Sequence, residues 1–158
     1  QEAVGYGQVG IFSVLLVATP WETSSNAADY ELAVYPVPEQ PGIPQLFDSD
    51  REFPDPAPQV GEVGYPISIS FLADDYQSDE NLYGLFVDAE ATWLRDDRGR
   101  DVPVAILEPH SDVNLNRSVF LLADSPLRPH SSYTARISGS VAGQPFDEAW
   151  TFTTAQSE

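Results

Sequence analysis

The run Tyr133-Thr134-Ala135-Arg136-Ile137-Ser138, then Gly139-Ser140-Val141-Ala142-Gly143-Gln144, then Ala149-Trp150-Thr151-Phe152-Thr153-Thr154 carries the clearest structural signal in the chain. In both arms large or apolar side chains alternate with polar ones, the period of two of a half-buried strand. Tyr133, Ala135 and Ile137 share one face, and Trp150 and Phe152 meet them across a Gly-rich reversal expected at residues 139–144. The two arms predict the closing hairpin of an all-β sandwich, with Trp150, Phe152, Tyr133, Ile137, Ile69, Phe71 and Val104 in its core.

Upstream segments repeat the pattern at the spacing of a sandwich. Residues 65–73 read as a strand with Ile67, Ile69 and Phe71 on one face. Leu85, Val87, Ala89, Ala91 and Trp93 alternate as one further run, which puts Trp93 on the core face. Asp96-Asp97-Arg98-Gly99-Arg100 is a hairpin turn with glycine where a positive φ is needed. Residues 102–106 return from it, with Pro103 favouring a sheet edge because proline cannot donate to a ladder. Residues 118–123 supply one more strand. About seven strands therefore fall within residues 63–155, taken as the sandwich.

Residues 1–35 read as an N-terminal strand extension. The segment from Val9 to Ala18 contains Ile11, Phe12, Val14, Leu15, Leu16 and Val17, apolar on both faces, so a strand there must be covered on both sides. Pro20 stops it, and residues 30–35 form a short strand. Residues 36–62 hold Pro36, Pro38, Pro41, Pro44, Pro54, Pro56 and Pro58, which exclude a helix. Ile43, Leu46, Phe47 and Phe53 within that stretch point to an ordered connector, since a disordered linker lacks such residues.

Val34-Tyr35-Pro36, Gly42-Ile43-Pro44, Glu52-Phe53-Pro54-Asp55-Pro56 and Gly64-Tyr65-Pro66-Ile67-Ser68-Ile69-Ser70-Phe71 occur in that order ahead of the closing hairpin. Together they resemble the C-terminal Ig-like module that follows a CAP (SCP-like) domain in secreted bacterial proteins. Val4-Gly5-Tyr6-Gly7 and the strand to Ala18 are similar to the last strand of the CAP domain itself. The resemblance implies an Ig-like β-sandwich and an extracellular or cell-surface location. The His and Glu residues of the CAP cleft lie upstream of that strand, so no CAP activity carries over to this chain.

Composition narrows the function classes. The 158 residues carry a net charge of −18, and the seven basic residues are all Arg. Such a body repels nucleic acid and anionic membranes, which need basic clusters. No Cys is present, so disulfides, thiolate catalysis and cysteine metal sites are excluded. The longest apolar run, residues 11–18, is far short of the roughly 20 residues of a membrane helix. With Gln1 first, the chain reads as a processed or partial product.

No residue set announces a reaction. His110 and His130 each follow a proline in a loop, and a triad drawn from Ser111, His110 and Asp112 would need geometry that sequence neighbours rarely provide. Nucleophile-elbow, HExxH, P-loop and dinucleotide motifs are all missing. Calcium ligands could be drawn from Asp48, Asp50, Asp74, Asp75 and Asp79, but no EF-hand spacing appears and Arg51, Arg98 and Arg100 supply counter-charges, so solvated acidic loops are expected and no cofactor. Trp93 and Trp150 are expected to pack in the core, while Trp21 and Tyr76 sit in loops, where a ring is free to stack on a glycan.

The expected function is that of a non-catalytic extracellular Ig-like module with a structural or adhesive role in a cell-surface assembly. Its expected partner is protein, either another copy of itself or an adjacent domain, reached through the apolar strand 9–18. The alternative is an accessory or glycan-binding domain of a secreted CAP-family protein.

Overall fold

The computed structural model describes residues 31–51, 55–57, 61–72, 84–112, 115, 117–141 and 143–156. Twelve strands run through them. The first six are β1 (Glu31–Tyr35), β2 (Gln40–Ile43), β3 (Leu46–Asp48), β4 (Glu62–Gly64), β5 (Ile67–Leu72) and β6 (Phe86–Val87). The rest are β7 (Trp93–Asp96), β8 (Asp101–Val102), β9 (Val104–Leu107), β10 (Ser118–Ala123), β11 (Ser132–Val141) and β12 (Gln144–Thr154). A 3-10 turn over Ser49–Arg51 comes directly after β3.

Two main sheets form the sandwich. One has the order β1-β5-β10-β9, the other β2-β12-β11-β7-β8 with β6 paired to β11, and β3 and β4 form a separate ribbon. Lettered along the chain, the first sheet is A-B-E-D and β12, β11 and β7 are G-F-C, the strand order of the immunoglobulin sandwich. Seven strands thus carry that order. The count rises from the expected seven to twelve because five short strands, β2, β3, β4, β6 and β8, are added at its margins.

The N-terminal limit of the sandwich lies earlier than residue 63. β1 pairs antiparallel with β5 from Glu31↔Leu72 to Tyr35↔Ser68. After the cis Tyr35–Pro36 peptide the chain passes to the other sheet, where β2 lies parallel to β12. The prolines of residues 36–44 fall where ladder donors are not needed, between the two strands and at an edge.

The closing hairpin pairs Tyr133 with Phe152 and Ala135 with Trp150, as the alternation requires. It is longer and tighter than its sequence suggests. β11 continues through Gly139 to Val141, and β12 begins at Gln144, directly after Gly143 at φ 78. Gly139 is therefore a strand residue, and its missing Cβ leaves room for the Phe86 carbonyl oxygen and, at 3.0 Å, the Phe146 ring.

The core forms where the inward rows of both sheets meet. Ile67, Ile69, Phe71, Val119 and Leu121 from one sheet face Leu94, Ala135, Ile137, Phe146, Trp150 and Phe152 from the other. Phe71 meets Phe146 edge-on at 4.9 Å, and Tyr133 stacks on Phe152 at 5.7 Å, arrangements that suit the aromatic quadrupole. Val104 is only half-buried, at the margin of this core.

Residues 85–93 do not form one strand. Asp88 accepts backbone hydrogen bonds from Glu90 and Ala91, and the turn it makes separates β6 from β7. The alternation restarts one residue out of phase, so Leu94 is fully buried and Trp93 turns outward, where the Arg95 guanidinium lies 4.0 Å from its ring centroid. Residues 101–107 are divided in a similar way. Pro103 breaks the ladder, β8 stays with β7, and β9 crosses to become the edge of the first sheet.

Candidate functional site

The inward row of β12 reads Phe146, Glu148, Trp150, Phe152 and Thr154, one carboxylate among residues that are otherwise buried. Glu148 and Trp150 of that row line a cavity of about 270 Å³ together with Leu32 and Val34 of edge strand β1. Leu32, Val34, Pro38, Ala149 and Trp150 give it apolar walls, and Glu39, Glu148 and Thr151 its polar groups.

The turn after β1 fixes Glu39 at the rim. Val37 N donates to Gln40 Oε1 at 2.9 Å and Gln40 N to Val37 O at 3.0 Å, closing the turn. Glu39 takes φ 61, a region sparsely used by residues with a Cβ. Its amide donates to Thr151 O at 2.8 Å, while its carboxylate accepts from the Thr151 hydroxyl. Glu39 is thus held to β12 by both backbone and side chain.

Among the described residues Glu148 has no such tether. Burial, and then the neighbouring charge of Asp147, push its carboxyl above the usual carboxylate range. The nearest cation in sequence pairing, Arg136, is already engaged by Asp147 through two bonds of 2.7 and 2.6 Å on the outer face. Trp150 is 5% exposed, and its buried Nε1–H donates to no described group. A half-buried carboxylate and a buried indole donor with no described acceptor are each costly.

Neither glutamate stands out in the sequence. The signal for Glu148 is its phase, two residues from both Phe146 and Trp150, which places a carboxylate on a core-facing row. Glu39 carries no signal, because its position depends on where β1 hands the chain to β2.

The residues singled out from sequence are dispersed. His110 is exposed with its ring 6.1 Å from that of Phe86, itself 52% exposed. His130 sits in a turn at φ 45 and its amide donates to Ala155 O at 2.8 Å. Asp48 pairs with Arg51 at 2.7 Å and Asp50 is exposed, and among the described residues no group of three or more His, Asp or Glu is placed to hold a metal ion. Asp74, Asp75, Asp79, Trp21, Tyr76 and the apolar strand with Ile11, Phe12, Val14, Leu15, Leu16 and Val17 lie outside the described residues.

No helix among the described residues is long and apolar enough to cross a membrane. No protein-family model matches the chain, and no curated protein sequence matches it.

Proposed function

We propose that the chain is a non-catalytic Ig-like module with a structural or adhesive role in an extracellular or cell-surface assembly, and that copies associate by adding the apolar strand 9–18 of one to a sheet edge of the next. The observation that supports this reading is the edge at β9. Val104, Ala105, Ile106 and Leu107 pair with β10 on one side, and among the described residues no strand pairs with them on the other. None of the four carries a charge, and none is fully buried.

Sheet edges are usually protected by charges, bulges or a covering segment, because unpaired N–H and C=O groups recruit other strands. Strand 9–18 has the complementary need, with both faces apolar. A contact between two different surfaces of the same chain is heterologous, so it builds open arrays rather than closed dimers. The resemblance to modules of secreted CAP-type proteins favours the same extracellular setting.

The test is light scattering on the full chain, on a chain lacking residues 1–20, and on Ala105→Lys. Higher assemblies that vanish in both variants, and return when peptide 9–18 is added to the truncated chain, would support strand addition at β9. The same number of chains per particle in all three samples would refute it.

A further inference from the structure

We propose that strand 9–18 lies across the outer face of its own first sheet, over β1, β5 and β10, and must leave it before it can add to another copy. The docking rests on the burial of that face, and its inhibitory role rests on the reading of 9–18 as the assembly strand. In an antiparallel sandwich one face of each sheet meets the core and the other commonly meets water. The second sheet follows that rule, since Arg95, Arg136 and Asp147 stand on its outer face. The first sheet does not. Ala33, Ser68, Ser70, Phe120 and Leu122 alternate with the core residues of β1, β5 and β10, so they face outward, yet they are at most 7% exposed. None carries a charge. Ala33 lies opposite Ser70, Ser70 opposite Ser118, and Ser68 opposite Phe120. The Ser70 and Ser118 hydroxyls bond each other at 2.8 Å, as suits a face turned away from water.

The β3–β4 ribbon meets this sheet at the end of β10, where Gly64 closes on Ala123. Ser118 lies at the other end of β10, roughly 17 Å away at the rise of a strand. The ribbon therefore stands apart from the row of Ala33, Ser70 and Ser118. Residues 1–30 enter the sheet at Glu31, where β1 begins, next to that row. Within them 9–18 is an uncharged run whose one polar side chain is Ser13. Residues 19–30 can extend to about 40 Å, whereas four strands span roughly 15 Å, so the run reaches every part of the face. The other long stretch outside the described residues, 73–83, carries Asp74, Asp75, Asp79 and Glu80 and does not suit an uncharged, dry surface. Exposure returns at β9, where Ala105 is exposed, so the cover leaves that edge open. Lying on a face gives the strand packing without a ladder, while β9 of another copy offers main-chain hydrogen bonds. Rising concentration therefore moves it from the first site to the second.

The chain has no Cys, so introduced cysteines pair only with each other. The test combines Ser68→Cys or Ser70→Cys with a second cysteine at each of positions 11–17 in turn, in the full chain. Disulfide formation is followed under mild oxidation at low concentration. Thr134→Cys, on the outer face of the second sheet, replaces the first cysteine as control. An intrachain disulfide about tenfold faster than the control, or more, is expected at alternate positions of the run, since contact raises the effective concentration of one thiol at the other. Oxidised, that variant should lose higher assemblies in light scattering, and reduction should restore them. No intrachain product above the control from any pair overturns the docking. Products formed only between chains overturn it in favour of a neighbour's strand on this face. A variant that cross-links within the chain but assembles equally when oxidised and reduced overturns the inhibitory role. Failure of the cross-link defeats this docking alone, whereas a parent chain that never assembles defeats the assembly reading and the inhibitory role with it.

Discussion

The Arg100 guanidinium lies 2.6 Å from the Asp96 carboxylate, four residues back along the same hairpin, and only 6% of the Asp96 side chain is exposed. The other oxygen of Asp96 accepts the amides of Arg98 at 2.9 Å and Arg100 at 3.0 Å. Arg128, from the loop before β11, reaches the first oxygen at 3.2 Å and Asp97 at 2.9 Å. One carboxylate thus closes the β7–β8 turn and ties it to a loop about thirty residues away in sequence.

The Arg100 side chain first, then the Arg100 and Arg98 amides, outweigh burial and lower Asp96 from its ordinary 3.8 to about 2. A carboxyl depressed by folding stabilises the native state above its unfolded pKa and ceases to do so as pH falls through the folded one. The contribution should be complete above about pH 4 and lost between pH 4 and about 2. Asp96→Asn should melt below the parent chain at neutral pH, and the difference between the two should shrink across that window. Acid also relieves the repulsion within a −18 chain, but it does so in parent and variant alike and cancels from their difference. A melting difference that stays constant from pH 7 to pH 2 would contradict this role.

Trp150 lies opposite Ala135 on the hairpin and is almost wholly enclosed. Trp150→Ala should destabilise by about 3–5 kcal/mol, the usual cost of deleting a large buried aromatic. For a chain of this length that corresponds to roughly 6–20 °C in Tm. Trp150→Phe keeps most of the packing and removes the unsatisfied indole donor, so it should cost clearly less. Thermal unfolding followed by circular dichroism measures both, and an unchanged Tm in the alanine variant would be incompatible with the packing.

The hairpin is legible in the sequence because Tyr133, Ala135 and Ile137 alternate without interruption and Trp150 and Phe152 answer them. Alternation misplaces Trp93 for a local reason, since Asp88 inserts a turn that resets the phase. The reach of the sandwich into residues 31–43 is hidden by prolines, which break a strand pattern without preventing edge strands. The cavity is a product of tertiary structure: Glu39 and Glu148 are 109 positions apart, and only the passage of the chain from β1 to β2 places both on it.

Calcium should leave the fold unchanged at the acidic positions the structure describes. Asp48 is occupied by Arg51, and Asp50 stands exposed. Binding at a hundredfold excess over Kd would add about 2.7 kcal/mol, readily seen in Tm. Millimolar calcium is expected to match sodium chloride of equal ionic strength. A saturable rise in Tm absent with magnesium would show a calcium site.

Tyr133 begins the hairpin and reaches backwards, its phenolic oxygen accepting the Arg128 amide at 2.8 Å, the hydrogen bond of a tyrosine corner. The same side chain stacks on Phe152, so it joins the core to the loop that carries Arg128. Tyr133→Phe keeps the stack and removes the acceptor. The cost should be about 0.5–1.5 kcal/mol, the net worth of an ordinary hydrogen bond. Hydrogen exchange should quicken at the Arg128 amide, while amides in the middle of β11 and β12 keep their protection. Because Arg128 also holds Asp96, a looser loop should weaken that pair. Tyr133→Phe and Asp96→Asn combined should therefore cost less than the sum of the single variants. Strict additivity, with exchange at Arg128 unaltered, would mean that the tyrosine hydroxyl does not anchor the loop.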